Sequence, residues 1–207
     1  MIRKEYTENE IFNYVEYSPA DMREGLPIVF QLHGAGEKGD TKEELALVDV
    51  HGFSEFLQDN DRDCIFIMPQ CPKESFWTAR VESIVKFIEE KIEFYKADKS
   101  RVYLTGISMG GYGTWLTTMA RPELFSAIAP CCGAGMPWNA SKVTMPVWMI
   151  HGADDKTVNV FYSDEMAQRL EAEGKEFIYT RLDGVGHGAW DYTYKAELID
   201  WLLSKRK

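Results

Sequence analysis

Nothing in this chain approaches the ~18 consecutive apolar residues that a membrane-spanning helix needs. The opening stretch MIRKEYTENE also has no apolar segment of the kind that marks a secretory signal. The expected protein is therefore cytoplasmic and free of a membrane span. Basic residues are in deficit: 23 Lys and Arg face 33 Asp and Glu, a net charge of -10. A surface of that sign repels phosphate backbones and anionic headgroups, so neither nucleic acid nor an anionic membrane is an expected partner. Cysteine is scarce as well. The four cysteines, Cys64, Cys71, Cys131 and Cys132, fit no zinc-ligand spacing. Adjacent cysteines rarely bridge to each other, so reduced, partly buried thiols are expected. No repeat, low-complexity tract or linker interrupts the sequence.

What is present suits a single domain over 1–207. The chain is 45% hydrophobic and 13% aromatic, enough for a sizeable core. Short apolar runs at 28–32, 64–68, 101–105, 127–130, 147–150 and 177–181 read as strands, mostly buried on both faces. A weaker run at 11–17 reads as an edge strand. Between them lie amphipathic stretches. Val81, Ile84, Val85, Ile88 and Ile92 share one helical face, with Glu82, Lys86, Glu89 and Glu90 opposite. Met166, Ala167 and Leu170 mark another helix, ended by Gly174, and Ala196, Ile199, Leu202 and Leu203 mark the last. Alternation of this kind predicts a largely parallel sheet with helices on both faces. In such sheets the ligand lies beyond the carboxyl ends of the strands.

The first motif at a strand end is Gly34-x-Gly36-x-x-Gly39 in HGAGEKG, which has the spacing of a dinucleotide-binding loop. Its context argues against that use. Thr41-x-x-Glu44 has the form of a capping box and places the next helix after Gly39, so no helix N-terminus would meet a pyrophosphate. The acid expected about 20 residues on should end a strand. Asp59, Asp61 and Asp63 precede theirs.

Gly106-Ile107-Ser108-Met109-Gly110 is a G-x-S-x-G sequence between a predicted strand and a predicted helix, the setting of a nucleophile elbow. A serine on so sharp a turn projects its hydroxyl outward, and glycines on either side avoid Cβ clashes. Gly111 and Gly113 would let the helix approach the sheet. A serine hydroxyl needs a base and a group to orient it, in the chain order Ser, acid, His for this architecture. Of the four histidines, His33 and His51 precede Ser108 and His151 adjoins the acid candidates, where it would support the turn. His187, in DGVGHG, is the one that follows both a serine and a later carboxylate. The turn HGADD offers Asp154 and Asp155, and spacing does not separate them.

Taken together, HGAGEKG, GISMGGYGTW, HGADDKTV and GVGHGAW resemble the α/β-hydrolase superfamily, in particular the small phospholipase/carboxylesterase and "predicted peptidase" branch of serine esterases. The resemblance runs from about Ile11 to the final helix. It implies an α/β-hydrolase fold with a mostly parallel central sheet, helices on both faces and no large cap domain. It implies Ser108 as nucleophile, His187 as base and, through H-G-x-x-D, Asp155 as the acid. It also implies that HGAGEKG supplies an oxyanion-hole amide, with the backbone N–H of Ala35 and of Met109 as donors. Related enzymes often have Val-Pro after the acid where this chain has Val158-Asn159, which alters a helix start. Serine at the elbow disfavours the dienelactone hydrolase branch, which uses cysteine.

The expected activity is hydrolysis of small to medium acyl or aryl esters, with a small-molecule ester as partner and no metal or cofactor. Trp77 and Trp138, in longer loops after strand ends, are the candidate pocket residues, although structural packing competes with substrate contact at each. Gln70 and the segment Gly188-Ala189-Trp190 are further candidates near the site. A peptidase, amidase or thioesterase would use the same triad, and a non-catalytic binding protein on this fold would not keep it. The sequence does not define oligomeric state.

Overall fold

The computed structural model describes residues 1–207. Eight strands form one sheet: β1 (Ile2–Tyr6), β2 (Tyr14–Ser18), β3 (Ile28–Leu32), β4 (Ile65–Pro69), β5 (Val102–Ile107), β6 (Ala127–Cys131), β7 (Val147–Gly152) and β8 (Phe177–Leu182). Their order is β1-β2-β4-β3-β5-β6-β7-β8, antiparallel at β1–β2 and β2–β4 and parallel elsewhere. The helices are α1 (Ser54–Asp59), α2 (Val81–Phe94), α3 (Met109–Ala120), α4 (Phe161–Ala172), α5 (Trp190–Thr193) and α6 (Ala196–Ser204). No helix is long and apolar enough to cross a membrane.

The near-continuous apolar strands work because each has two buried faces. Along β3, Ile28, Phe30 and Leu32 join one core with α2, α3 and α4 residues such as Phe87, Trp115 and Met166. Val29 points the other way, into a second core with Leu57 of α1 and Leu198, Ile199 and Leu202 of α6. The period-two alternation of strand side chains thus feeds both layers at once.

Two sequence expectations change. The run at 11–17 does not form an edge strand. Its strand, β2, begins at Tyr14, is buried throughout and pairs on both sides. The edge is β1, whose sequence IRKEY is mostly exposed and has no apolar face to announce it. Tyr6 of β1 and Tyr95 donate to the buried carboxylate of Glu16 on β2, which ties the edge down. The second change concerns Trp77. It belongs to the core and not to a substrate pocket: it is 0% exposed, its indole N–H donates to the carbonyl of His33 at 2.9 Å, and Phe12 packs edge-on against it. A Cβ on Gly113 would lie 2.7 Å from the Cβ of Trp77, so α3 passes very close to this indole.

Trp77→Ala removes that ring from beneath α3 and leaves the His33 carbonyl without its donor. The expected loss is about 3–5 kcal/mol of unfolding free energy, read from urea denaturation.

Candidate active site

The elbow forms as the motif predicts. Ser108 joins β5 to α3 at φ 52°, ψ -116°, a conformation strained for any residue with a Cβ. Glycine is required on both sides for different reasons. A Cβ on Gly106 would run into the carbonyl of Gly110 four residues later. A Cβ on Gly110 would run into the carbonyl of Leu32 at the end of β3. The first turn of α3 therefore sits directly on the end of the neighbouring strand.

The structure brings Ser108, His187 and Asp155 together. Ser108 Oγ lies 2.8 Å from His187 Nε2, and His187 Nδ1 lies 2.6 Å from Asp155 Oδ2. Asp155, not Asp154, faces the imidazole. Its other oxygen accepts the N–H groups of Thr157 at 2.8 Å and Val158 at 2.9 Å, while Asp154 is exposed. The side chain of Asp155 is 0% exposed and that of His187 23%. Burial would raise the pKa of Asp155, but the hydrogen bonds from His187, Val158 and Thr157 outweigh it and hold the group below the usual carboxylate range. His187 moves the opposite way. Burial disfavours its cation, yet contact with the Cys132 thiol and with the Asp155 carboxylate raises its pKa above the ordinary imidazole value.

Local sequence explains how His187 reaches the serine. A Cβ on Gly152 would strike the carbonyls of Val185 and Gly186, so only glycine at the end of β7 lets the loop of His187 cross it. The N–H groups of Ala153 and Asp154 donate to Leu182 and Val185 and fasten that loop in place. His151 braces the acid turn from below. Its Nε2–H donates to the Val158 carbonyl at 2.9 Å, which leaves Nδ1 to accept from the Ser163 hydroxyl at 2.7 Å. Asn159 accepts the N–H of Phe161 at 2.9 Å through its side chain at the start of α4.

The HGAGEKG segment turns beside the serine. Residues Ala35–Glu37 make one tight turn, and a Cβ on Gly34 would lie 3.7 Å from that of Ser108. His33 fixes its base. Its Nε2 accepts the N–H of Cys71 at 2.9 Å, so Nδ1 carries the proton and donates to Gly34 O at 2.6 Å. Burial holds His33 neutral, with its pKa lowered to about 4. Gln70 donates to the Glu37 and Glu44 carbonyls and clamps the far end of the turn. The capping box forms, with Thr41 and Glu44 each accepting the other's N–H, although it opens a short 3₁₀ helix, Glu43–Asp49, and not a regular α-helix. No α-helix opens at the three glycines, so the loop lacks what a pyrophosphate site requires.

Ser108 and His187 open onto a crevice of about 300 Å³ whose walls include Ala35, Glu37, His51 and Trp190. Met109 opens α3, so its N–H has no acceptor within the helix. Trp138 does not share this crevice. It is 73% exposed and lines a separate surface hollow with Glu165 and Arg169 of α4, because its own turn, Pro137–Lys142, carries it away from the crevice. Glu37 and His51 were not foreseen as wall residues. The signal available for Glu37 was a lone acid between glycines in a loop that leaves a buried strand end.

A metal would find one candidate group, since Cys132 Sγ, a His151 nitrogen and an Asp155 oxygen lie within 4.8 Å of one another. Both nitrogens of His151 and both oxygens of Asp155 are already engaged by protein groups. The cluster is a hydrogen-bond network. All four cysteines are free and buried.

The chain is similar to known esterases. A family model described as phospholipase/carboxylesterase matches residues 69–196. A bifunctional acetylxylan esterase/xylanase from Neocallimastix patriciarum is 26% identical over 149 residues, 69% of this chain and 21% of that protein. The crystal structure of a thermostable esterase superposes with a TM-score of 0.83 at 29% identity, over 100% of this chain and 63% of that one. Esterase PE8 superposes with a TM-score of 0.69 at 21% identity, over 89% of this chain and 96% of that one, and shares the fold. This chain therefore spans about a fifth of the Neocallimastix protein and under two thirds of the thermostable esterase. With the elbow, the acid turn and the histidine loop all inside the matched 69–196 segment, the chain belongs to the phospholipase/carboxylesterase family of α/β-hydrolases.

Proposed function

We propose that residues 1–207 form one catalytic domain, a serine carboxylesterase acting on small to medium acyl or aryl esters, with Ser108, His187 and Asp155 as its triad. The reading is carried by one observation: a continuous line of hydrogen bonds, 2.8 Å and 2.6 Å long, from a strained serine through both nitrogens of an imidazole to a buried carboxylate. Each position answers a chemical need. Ser108 Oγ attacks the ester carbonyl carbon while its proton passes to His187 Nε2. Asp155 keeps the other proton on Nδ1 and stabilises the imidazolium that forms. The carbonyl oxygen, now an oxyanion, takes hydrogen bonds from the Ala35 and Met109 amides, each worth a factor on the order of 10²–10³ in rate. His187 Nε2–H then protonates the departing alkoxide. Water, deprotonated by the same nitrogen, attacks the acyl-enzyme and releases the acid. The scheme uses only these groups and water.

Ser108→Ala is expected to lower kcat/KM for 4-nitrophenyl acetate by a factor on the order of 10⁴ or more. Loss of less than tenfold would remove Ser108 from the mechanism. N-propylacetamide left intact while propyl acetate is hydrolysed fits an esterase, whereas measurable turnover of the amide by the same serine points to an amidase.

The pH profile follows from the raised pKa of His187. The base works only when neutral, so activity falls as pH drops through that pKa. The acid limb of kcat/KM should lie above the usual imidazole value of about 6.5. Asp155→Asn deletes the carboxylate that stabilises the cation. It should move the acid limb to lower pH and reduce kcat by about 10⁴, both read from the same rate–pH series.

A further inference from the structure

The Cys132 thiol touches the triad but takes no step in the reaction. It stands one residue beyond the end of β6, between the strands that carry the nucleophile and the acid. The Ser108 N–H donates to the Cys131 carbonyl, and the Cys132 N–H donates to the Ile150 carbonyl of β7, both at 2.9 Å. Cys132 Sγ lies within 4.8 Å of a His151 nitrogen and an Asp155 oxygen, and it meets the His187 imidazole. The residue is 0% exposed. No substrate reaches it, so any effect on the reaction is exerted through its neighbours.

The backbone singles this side chain out. Cys132 has φ 48°, in the left-handed region, which only Lys96 and Ser108 share with it among residues that carry a Cβ. A Cβ on Gly133 would lie 2.4 Å from the Gly111 carbonyl carbon, so the chain is pressed against α3 here and its path is fixed. That path alone would be served best by glycine at 132, which enters the left-handed region at no steric cost. Cysteine at this position is strained, and a backbone outlier beside reacting groups points to a functional demand on the side chain.

His187 needs support from outside the triad. It rides on a loop that carries Gly184, Gly186 and Gly188. Its imidazole has two hydrogen bonds, one with Ser108 and one with Asp155. The first is lost once Oγ carries the acyl group. The ring must then hold its place on the remaining bond while Nε2 activates water. Trp190 packs edge-on with ring centres 5.2 Å apart, and the buried thiol adds a polar contact. Resting on the triad reading, we propose that Cys132 is a positioning residue whose thiol keeps the His187 imidazole and the Asp155 carboxylate in register through acylation and deacylation. Sulfur is polarisable, and a thiol is both a weak donor and a weak acceptor, so the contact survives the change of charge on the ring.

The test measures kcat and KM for 4-nitrophenyl acetate across four variants, with urea midpoints to confirm that each is folded. Cys132→Gly suits the backbone and removes the thiol. It and Cys132→Ala should lower kcat and kcat/KM together by about tenfold or more and leave KM nearly unchanged, the pattern of lost alignment in the transition state. Cys132→Ser, which keeps a polar atom on Cβ, should recover most of that loss. Cys131→Ala removes the neighbouring thiol 3.8 Å away and should leave kcat as it is. Wild-type kcat in Cys132→Gly overturns the proposal, because the left-handed turn would then serve the chain path alone. An equal loss in Cys131→Ala overturns it as general damage to the core, and so does Cys132→Ser no better than Cys132→Ala. The alanine and serine variants carry the test if Cys132→Gly does not fold. All these outcomes leave the triad standing. Activity retained in Ser108→Ala sinks the triad reading and the role of Cys132 with it.

Discussion

The contact on which this molecule depends is that between the first turn of α3 and the carbonyl end of β3. Gly110 sits against the Leu32 carbonyl with no room for a side chain. That proximity forces the chain to turn within a single residue, which leaves Ser108 at φ 52°. It also sets the first free amide of α3 beside the turn Ala35–Glu37, since that turn leaves the same end of β3. Serine strain, helix position and loop position are consequences of one close approach. The strain persists because the fully buried strands on either side hold the two ends of the elbow.

The four histidines show how environment divides one side chain among different tasks. His33 is buried and neutral, and its two nitrogens bridge the Cys71 amide and the Gly34 carbonyl. His151 is equally buried and works as a strut between the acid turn and α4. His51 is held at the surface by Gln31, which donates to its carbonyl and accepts the N–H of Phe53. Only His187 combines a carboxylate on one nitrogen, a serine hydroxyl on the other and partial access to solvent.

Much of this was legible from residue order. Apolar runs buried on both faces have a plain signature, and six strands were located to within two residues. The elbow was legible because its glycines answer a steric demand local to the motif. Elimination among few histidines located His187, whereas Asp155 needed the H-G-x-x-D resemblance, since two adjacent carboxylates differ only in which way the turn points them. The failures share a cause. β1 lacks an apolar face because nothing covers it, so periodicity has nothing to report. Trp77 and Trp138 both follow strand ends, yet one is captured by the His33 carbonyl and the other is carried out onto α4. Loop membership does not say which way a ring turns. Glu37 went unread because its burial follows from the Gln70 clamp on its backbone, a contact 33 positions away in sequence.

The strut formed by His151 has a mechanical meaning. Because it ties Val158 and Ser163 to the end of β7, the acid turn is bolted to the start of α4 as well as to the sheet. The outer side of that helix start carries Phe161 and Tyr162 in contact with solvent. The serine hydroxyl, by contrast, is mounted on the turn into α3. The carboxylate and the hydroxyl that flank His187 thus ride on separate supports.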